Sequence, residues 1–154
     1  MSRRNEITLS DAELRDFLAR SRTIILTSNG RDGVPHPMPM FFGIEPDGAI
    51  VMTTYTKSQK ILNLRRDPRV SLLVEDGEAY SELRGAVLYG TAELVDDTDI
   101  VAGFLAAVAA HNGDPSDESE EALAGRRYMA SKRTGVRVRP ERVVSWDHGK
   151  LAGA

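Results

Sequence analysis

Short apolar runs separated by turn sequences make up most of the chain. The runs "RTIILTS", "VPHPMPMFFGIE", "AIVMTTYT", "RVSLLVED", "RGAVLYGTAELVDD" and "TGVRVRPERVVSWDH" predict six strands, and Pro140 is a candidate break in the last of them. The tight turns "NGRDG" and "PDG" link the first three strands. Strands joined mainly by tight turns, with few helices, predict an antiparallel barrel or sandwich.

The remaining apolar segments have helical spacing. Ser10 and Glu13 form a capping box before the stripe in "LSDAELRDFLARS", and "TDIVAGFLAAVAAH" predicts an alanine-rich helix. A further helix is expected from about Glu118 to Lys132. The helices are few, and no G-x-G-x-x-G or P-loop sequence occurs, so a Rossmann unit is not expected.

Composition narrows the class of protein. The 154 residues suit a single domain, with residues 1–8 and 152–154 expected to be flexible ends. There is no cysteine, no apolar run of roughly 20 residues and no signal-peptide pattern, so we expect a cytoplasmic protein without a membrane span. The net charge of −3, with both signs interspersed, argues against a general nucleic-acid binder.

A short helix after the third strand begins in an unusual way. Ser58 is a good N-cap residue, but Lys57 and Lys60 flank it, where the helix dipole and the unpaired amides favour an anion. One interpretation is an anion site in which both lysines and the Ser58 hydroxyl hold a phosphate. The other is a solvated helix start that tolerates a small electrostatic penalty.

Two further features contain candidate binding residues. Pro35, Pro37 and Pro39 remove three donors from one side of a strand, which predicts either a protected sheet edge or an opening that receives a flat ring. Trp146, in "SWDHGKL", is the only tryptophan, and it could anchor a core or dimer contact or cover a bound ring.

These motifs together resemble the pyridoxamine 5′-phosphate oxidase-like family, also called FMN-binding split barrels. The chain is most similar to the actinobacterial branch that binds the deazaflavin F420, and the resemblance covers about residues 9–151. Its most specific parts are "TKSQKILNLRRDPRVSLLVEDG" and "SWDHGKL". The resemblance implies a mainly β fold, a six-stranded antiparallel split β-barrel with peripheral helices, and a homodimer with cofactor sites at its interface.

The resemblance also implies the cofactor-binding residues. The cofactor ring would lie over the second predicted strand and beside the third, and the cofactor phosphate would lie at the start of the lysine-flanked helix. The tryptophan would reach the cofactor of the partner subunit. The matching residues are Met38, Pro39, Met40, Thr53, Thr54, Tyr55, Lys57, Ser58, Gln59, Lys60 and Trp146.

The chain departs from the oxidases in two places. It ends "GKLAGA" without their substrate-recognition segment, so pyridoxamine 5′-phosphate oxidation is not expected. Gln59 replaces an arginine, which weakens the case for the doubly charged FMN phosphate and favours F420, which has a phosphodiester. Arg65, Arg66 or Arg69 could screen the polyglutamate tail of F420 or be ordinary surface charges.

The expected function is hydride transfer between reduced F420 and a small conjugated organic substrate. Such transfer needs no nucleophile, and no catalytic residue is assigned. His36, His111 and His148 are scattered without metal-ligand spacing, so no metal is expected. The loop at residues 112–121 is either a solvated acidic loop or a substrate lid. The alternatives are an FMN-dependent oxidase or reductase, and a non-catalytic protein that binds a flavin, F420 or another phosphate ligand.

Overall fold

The computed structural model describes residues 2–114 and 117–151, which form one antiparallel sheet system with helices around it. The strands are β1 Thr23–Asn29, β2 Pro35–Phe41, β3 Gly43–Ile44, β4 Ile50–Tyr55, β5 Arg69–Asp76, β6 Arg84–Val95, β7 Arg133–Val138 and β8 Arg142–Asp147. The helices are α1 Arg3–Glu6, α2 Asp11–Arg20, α3 Gln59–Arg66, α4 Thr98–His111 and α5 Glu120–Ala130, with short 3-10 turns at Tyr80–Glu82 and His148–Leu151.

The long strand β6 joins the two halves of the sheet. The strand order is β2-β1-β5-β6-β7-β4-β3, and β8 also pairs with β6. The first half of β6 pairs with β8, from Arg84 to Tyr89, and its second half pairs with β7, from Ala92 to Val95. Because one strand serves both groups, the sheet curls into a half-barrel of the split-barrel type rather than closing on itself.

The prediction of six strands was wrong, because two of the predicted strands each divide between neighbours. The second breaks at Phe42, whose side chain is buried, so that β2 pairs with β1 whereas β3 pairs with β4. The last breaks around Pro140, which has no amide N–H to donate, and β7 and β8 then pair with different parts of β6. The described residues therefore contain eight strands.

The core lies between the sheet halves and beneath the helices α2 and α3. Alternation along β1 buries Ile24 and Leu26, and the helical spacing in α3 buries Ile61 and Leu64. The other large, fully buried apolar side chains come mainly from β4, β5 and β6 and include Ile50, Met52, Leu72, Val74 and Leu88.

The four longer helices agree with their predicted positions, whereas α1 was not predicted. The capping box of α2 is present: the Glu13 amide donates to Ser10 Oγ and the Ser10 amide donates to Glu13 Oε2. The helix expected over residues 118–132 spans Glu120–Ala130. The helix α4 approaches β3 closely, since a Cβ at Gly43 would lie 2.7 Å from the carbonyl carbon of Ala107.

The chain ends and the acidic loop are only partly described. The helix α1 lies within residues 1–8, while residues 152–154 and the acidic-loop residues 115–116 lie outside the described residues. In the part of the chain that the structure describes, no helix has the length and apolar character needed to cross a membrane.

Candidate functional site

The N-terminus of α3 has the features of an anion site. Ser58 is the N-cap residue, but its side chain makes no hydrogen bond to the helix amides. Within residues 2–114 and 117–151, no acceptor is found for the amide N–H groups of Gln59 and Lys60. Two backbone donors and a capping hydroxyl that does not bond to the helix amides therefore lie together at the positive end of a helix dipole.

Two lysines flank this helix start in the sequence, although neither is among the residues that line the α3 groove described below. Lys57 is exposed and Lys60 is half-buried, and neither forms a salt bridge within the described residues. Burial lowers the pKa of the Lys60 ammonium, because desolvation penalises its charged form. An anion beside Lys60 would reverse this effect. The two unpaired amides, the Ser58 hydroxyl and the two cations are groups that a phosphate can accept from.

Hydroxyl groups connect this helix start to the sheet. Thr54, which is buried on β4, donates to Ser58 Oγ over 3.5 Å, a long contact. Thr56, in the turn that follows β4, has its hydroxyl 3.0 Å from that of Thr134 on β7. Thr134 in turn donates to Asp96 Oδ1 over 2.7 Å. The turn between β4 and α3 is thus tied to β7 by side-chain hydrogen bonds.

A buried amide relay fixes the first residue of α3. Gln59 Nε2 donates to Asn63 Oδ1 over 2.8 Å, and Asn63 Nδ2 donates to Ser28 Oγ on β1 over 3.0 Å. Asn63 and Ser28 are both fully buried, whereas Gln59 is exposed at the surface. The relay holds the Gln59 side chain in one orientation relative to β1.

Two cavities share the exposed face of Gln59. One, of about 490 Å³, lies between the β1–β2 turn and α3, and the other, of about 640 Å³, lies along the outer face of α3. Arg31 and Gln59 line both, so we treat them as one feature, the α3 groove. Its lining residues are Gly30, Arg31, Asp32, Val34, Pro35, His36, Gln59, Leu62, Asn63, Arg65 and Arg66.

The arginines of the α3 groove differ in their partners. Arg65 forms a salt bridge of 3.0 Å with Asp96, and this contact and a hydrogen bond from Thr134 lower the pKa of the Asp96 carboxyl. Arg66 donates to the backbone oxygen of Asn29 over 2.6 Å. Arg31 has no side-chain hydrogen bond or salt bridge within the described residues. Arg31 and Arg66 are therefore cations without a carboxylate partner there.

The third arginine considered from the sequence lies elsewhere. Arg69 is paired with Asp67 over 2.7 Å and is not among the residues that line the α3 groove. Hydrogen bonds from Arg69, together with one from Asn29, hold the pKa of the Asp67 carboxyl well below its usual range.

The predicted ring-binding residues lie on two strands. Met38, Pro39 and Met40 are on β2, which pairs only with β1 within the described sheet. The proline-rich segment is therefore an edge strand, in agreement with the protected-edge interpretation. Thr53 and Tyr55 are near the end of β4, and the ring of Tyr55 is 61% exposed. Within one chain the α3 groove meets β2 at Pro35 and His36, not at Met38–Met40.

Trp146 lies apart from this groove. It is half-buried on β8, and its indole packs on Gly85 of β6, where a Cβ would collide with the ring. It is not among the residues that line the α3 groove. A single chain therefore does not bring Trp146 together with Gln59.

Sequence reasoning missed three residues near these positions. Asn63 could have been noticed, because it is a polar residue between Ile61 and Leu64 on a buried face and lies four residues after Gln59. Arg133, whose guanidinium lies 4.6 Å from the centre of the Tyr55 ring and 3.4 Å from Thr53 Oγ1, gave no such signal. Arg31, in a turn, gave none either.

No metal centre accompanies these groups: the described residues contain no cluster of three or more His, Cys, Asp or Glu side chains arranged to hold an ion. The three histidines have separate environments. His111 contacts the Ser21 carbonyl over 2.7 Å, His148 contacts the Tyr80 carbonyl over 2.8 Å, and His36 lines the α3 groove.

Comparison with known proteins agrees with this fold. A crystal structure of the conserved hypothetical protein Rv2991 from Mycobacterium tuberculosis has a TM-score of 0.89 and 41% identity, covering 99% of this chain and 93% of that one. An F420 reductase has a TM-score of 0.63 and 23% identity, covering 84% of this chain and 94% of that one. A FAD-binding protein from Mesorhizobium loti has a TM-score of 0.64 and 20% identity, covering 90% and 94%.

The last two likenesses concern the fold alone. No curated protein matches the sequence. The family model described as pyridoxamine 5′-phosphate oxidase matches residues 10–147, which is most of the chain. The chain therefore belongs to the pyridoxamine 5′-phosphate oxidase family.

Proposed function

We propose that the protein is an F420-binding oxidoreductase that transfers hydride between reduced F420 and a small conjugated organic substrate. The observation that carries the proposal is the start of α3, where two lysines without carboxylate partners in the described residues flank two unpaired amides and a hydroxyl that does not cap the helix. The family membership and the shared fold of an F420 reductase support a deazaflavin as the anionic ligand.

The phosphodiester of F420 would bind at this helix start. The amides of Gln59 and Lys60 and the Ser58 hydroxyl would donate to its oxygens, and Lys57 and Lys60 would neutralise its charge. An arginine at position 59 could bind a doubly charged phosphate through two parallel hydrogen bonds. This chain has the neutral Gln59 there, and its side chain donates to Asn63 instead. A neutral side chain at position 59 favours a singly charged phosphodiester over the terminal phosphate of FMN.

The polyglutamate tail would follow the α3 groove. Arg65 and Arg69 already pair with Asp96 and Asp67, so Arg31 and Arg66 are the cations of this region most available to carboxylates. Each added contact is solvent-exposed and contributes little alone, about 0–1 kcal/mol. The tail would therefore add affinity in proportion to the number of contacts it makes.

The ring would be held by residues of two strands and of a second subunit. Met38, Pro39 and Met40 would lie beneath it, Thr53, Thr54 and Tyr55 beside it, and Trp146 would reach it from the partner in a homodimer. F420 supplies the hydride chemistry, and the chain's own task is to orient the ring and exclude water at the acceptor. A cytoplasmic location, expected from the sequence, is part of the same proposal.

The proposal is tested by turnover. Purified protein is mixed with reduced F420 and a panel of conjugated acceptors, and the return of the oxidised-cofactor absorbance is followed, with FMN and a reductant in a parallel series. We expect acceptor-dependent oxidation of reduced F420 only. Oxidation with FMN alone would assign an FMN-dependent reductase, and tight F420 binding without turnover for any acceptor would assign a non-catalytic binding protein.

The homodimer is tested separately by analytical ultracentrifugation at micromolar concentration. We expect a dimer whose population falls when Trp146→Ala removes the indole. A wild-type protein that sediments as a monomer would contradict the shared cofactor site.

A further inference from the structure

A second cavity lies on a different part of the molecule, between α4, α5 and the end of β2. Its volume is about 580 Å³, which is within the usual range for small-molecule sites. It shares no lining residue with the α3 groove. We name it the α4–α5 cavity, and its lining residues are Arg22, Phe41, Leu105, Val108, Ala109, Asn112, Asp114, Ala122, Gly125, Arg126 and Met129.

The body of the α4–α5 cavity is apolar. Leu105, Val108 and Ala109 come from α4, Ala122 and Met129 from α5. Met129 is 50% exposed, and Phe41, which adds an aromatic ring from β2, is 58% exposed. Burying these side chains against an apolar ligand would be favourable by roughly 25 cal/mol for each Å² removed from water.

Charged groups occupy the rim of the cavity. Arg22 has no salt bridge or side-chain hydrogen bond in the part of the chain that the structure describes. Arg126 donates to the backbone oxygen of Asp117 over 3.3 Å, and its charge is one of the smaller causes of the lowered pKa of the Asp117 carboxyl, but the two residues form no salt bridge among the described residues. Asp114 supplies one negative charge, so the lining is positive by a single unit. This balance suits a ligand with one anionic head group.

One buried atom of the lining lacks a hydrogen-bond partner. Asn112 donates through Nδ2 to the Val108 carbonyl over 3.1 Å, while its Oδ1 is buried and has no partner among the described residues. An unpaired buried acceptor is uncommon in native proteins and often marks a place for water or ligand. Asn112 also lines the cavity, and a small shift of its side chain would be needed for this oxygen to accept from a molecule inside it.

We propose that the α4–α5 cavity binds a small carboxylic acid with an apolar body. The apolar part would lie against Phe41, Leu105 and Met129, and the carboxylate would accept hydrogen bonds from the Arg22 and Arg126 guanidinium groups. A water molecule or a ligand hydroxyl would donate to Asn112. The ligand class follows from the lining alone and does not depend on the proposed F420 function.

Octanoate, 1-octanol and octylammonium test the ligand class, because they share one apolar chain and differ in charge. Binding to the purified wild-type protein is measured by isothermal titration calorimetry below micelle concentrations. We expect octanoate to bind at least about tenfold tighter than octylammonium, with octanol between them. Equal affinities would overturn the carboxylate assignment, and no binding of any of them would overturn the site.

Two glycine variants test the location. Gly125 lines the cavity, and a Cβ there meets no heavy atom within 4 Å, so Gly125→Leu fills the cavity without a backbone clash. Gly103 on α4 also has open space at its Cβ and is not in the lining, so Gly103→Leu is the matched control. Both replacements favour helix, which protects folding. We expect octanoate binding to be lost only in Gly125→Leu, and retained binding there would contradict the site.

Two arginine variants test the head group. Arg126→Gln is expected to weaken octanoate binding about fivefold to tenfold and leave octanol unchanged. Arg127→Gln is the control, because Arg127 pairs with Asp99 over 3.0 Å and is not in the lining. Equal effects of the two variants would show that bulk charge, not a cavity contact, attracts the acid.

Discussion

The α3 groove and the α4–α5 cavity each contain two arginines that form no salt bridge within the described residues, but their surroundings differ. In the groove, Arg31 lies in the β1–β2 turn and Arg66 in the last turn of α3, the helix whose first turn has unpaired amides and a buried amide relay. In the cavity, Arg22 and Arg126 lie beside apolar side chains from two packed helices. We therefore propose an extended, multiply charged ligand for the arginines of the groove and a ligand with a single anionic head group for those of the cavity.

The comparison also shows which cations oppose the fold. Lys57 and Lys60 lie at the positive end of the α3 dipole, so they disfavour the helix in the absence of an anion. Arg126 lies in the second half of α5, where a cation suits the dipole. Because the two lysines do not stabilise α3, binding of an anionic ligand explains their presence better than a contribution to folding stability does.

The largest expected effect is on F420 affinity at the helix start. Lys57→Ala and Lys60→Ala are each expected to weaken F420 binding by about 1–3 kcal/mol, because each removes a charge-assisted contact to phosphate. Neither should reduce the melting temperature of the free protein, since each removes a cation that opposes the dipole. The measurements are fluorescence titration and thermal unfolding.

Lys132→Ala is the matched control, because it also removes one lysine charge, but the Lys132 ammonium contacts the Tyr128 side chain and does not flank the start of α3. Its F420 affinity should equal that of the wild type. Octanoate binding should be unchanged in all three lysine variants. Unchanged F420 affinity in both Lys57→Ala and Lys60→Ala would return these residues to the solvated-surface interpretation.

The next effect is on stability through the relay. Asn63→Leu leaves the fully buried Ser28 hydroxyl without its partner and is expected to lower the free energy of unfolding by about 1–3 kcal/mol. Gln59→Ala leaves Asn63 Oδ1 without its donor, but water can occupy the exposed position that the Gln59 side chain vacates, so the loss should be smaller. Urea unfolding of both variants checks the difference. If both variants lost the same free energy of unfolding, the contact between Asn63 and Ser28 would not be the main stabilising contact of the relay.

A smaller effect concerns the titration of Lys60. Burial lowers its pKa in the free protein, so its charged form destabilises the fold below the folded-state pKa, and that penalty disappears as pH rises towards the unfolded value. A bound phosphate should raise the pKa again. Carbon-13 NMR of the lysine side chains, with and without F420, measures both values. A Lys60 pKa that does not move on binding would place the anion elsewhere.

The smallest effect is at low pH. Hydrogen bonds from Arg69 lower the pKa of Asp67, so this carboxylate contributes stability above its unfolded pKa and loses it as pH falls through the folded value. Asp67→Asn should therefore flatten the acid side of the stability curve without changing F420 affinity. A large loss of affinity would show that Asp67 also orders the groove, through Asn29 or Arg69.

Local signals accounted for most of the elements and for the start of α3. Alternating apolar runs, the capping box at Ser10 and the N-cap at Ser58 act within a few residues and can be read from the sequence. Pro140 was a candidate break in the sequence, because proline cannot donate to a neighbouring strand, but the break at Phe42 was missed, because it depends on which neighbour the chain pairs with after it. Partner choice is a property of the whole sheet.

The candidate site was predictable only in part, for the same reason. Gln59 was identified from a motif, but its hydrogen-bonded partner Asn63 reaches Ser28 on a distant strand. The α4–α5 cavity had no sequence signal, since Arg22, Phe41 and Met129 meet only after two helices pack beside β2. Contacts between residues far apart in sequence required the structure.

The most direct test of the central claim is a fluorescence titration of the wild-type protein with F420 and, separately, with FMN. The account predicts tight F420 binding and weak FMN binding, with the F420 affinity reduced in Lys57→Ala and Lys60→Ala but not in Lys132→Ala. Tighter binding of FMN would contradict the choice of cofactor. Binding of neither would contradict the assignment of the α3 start as a cofactor phosphate site.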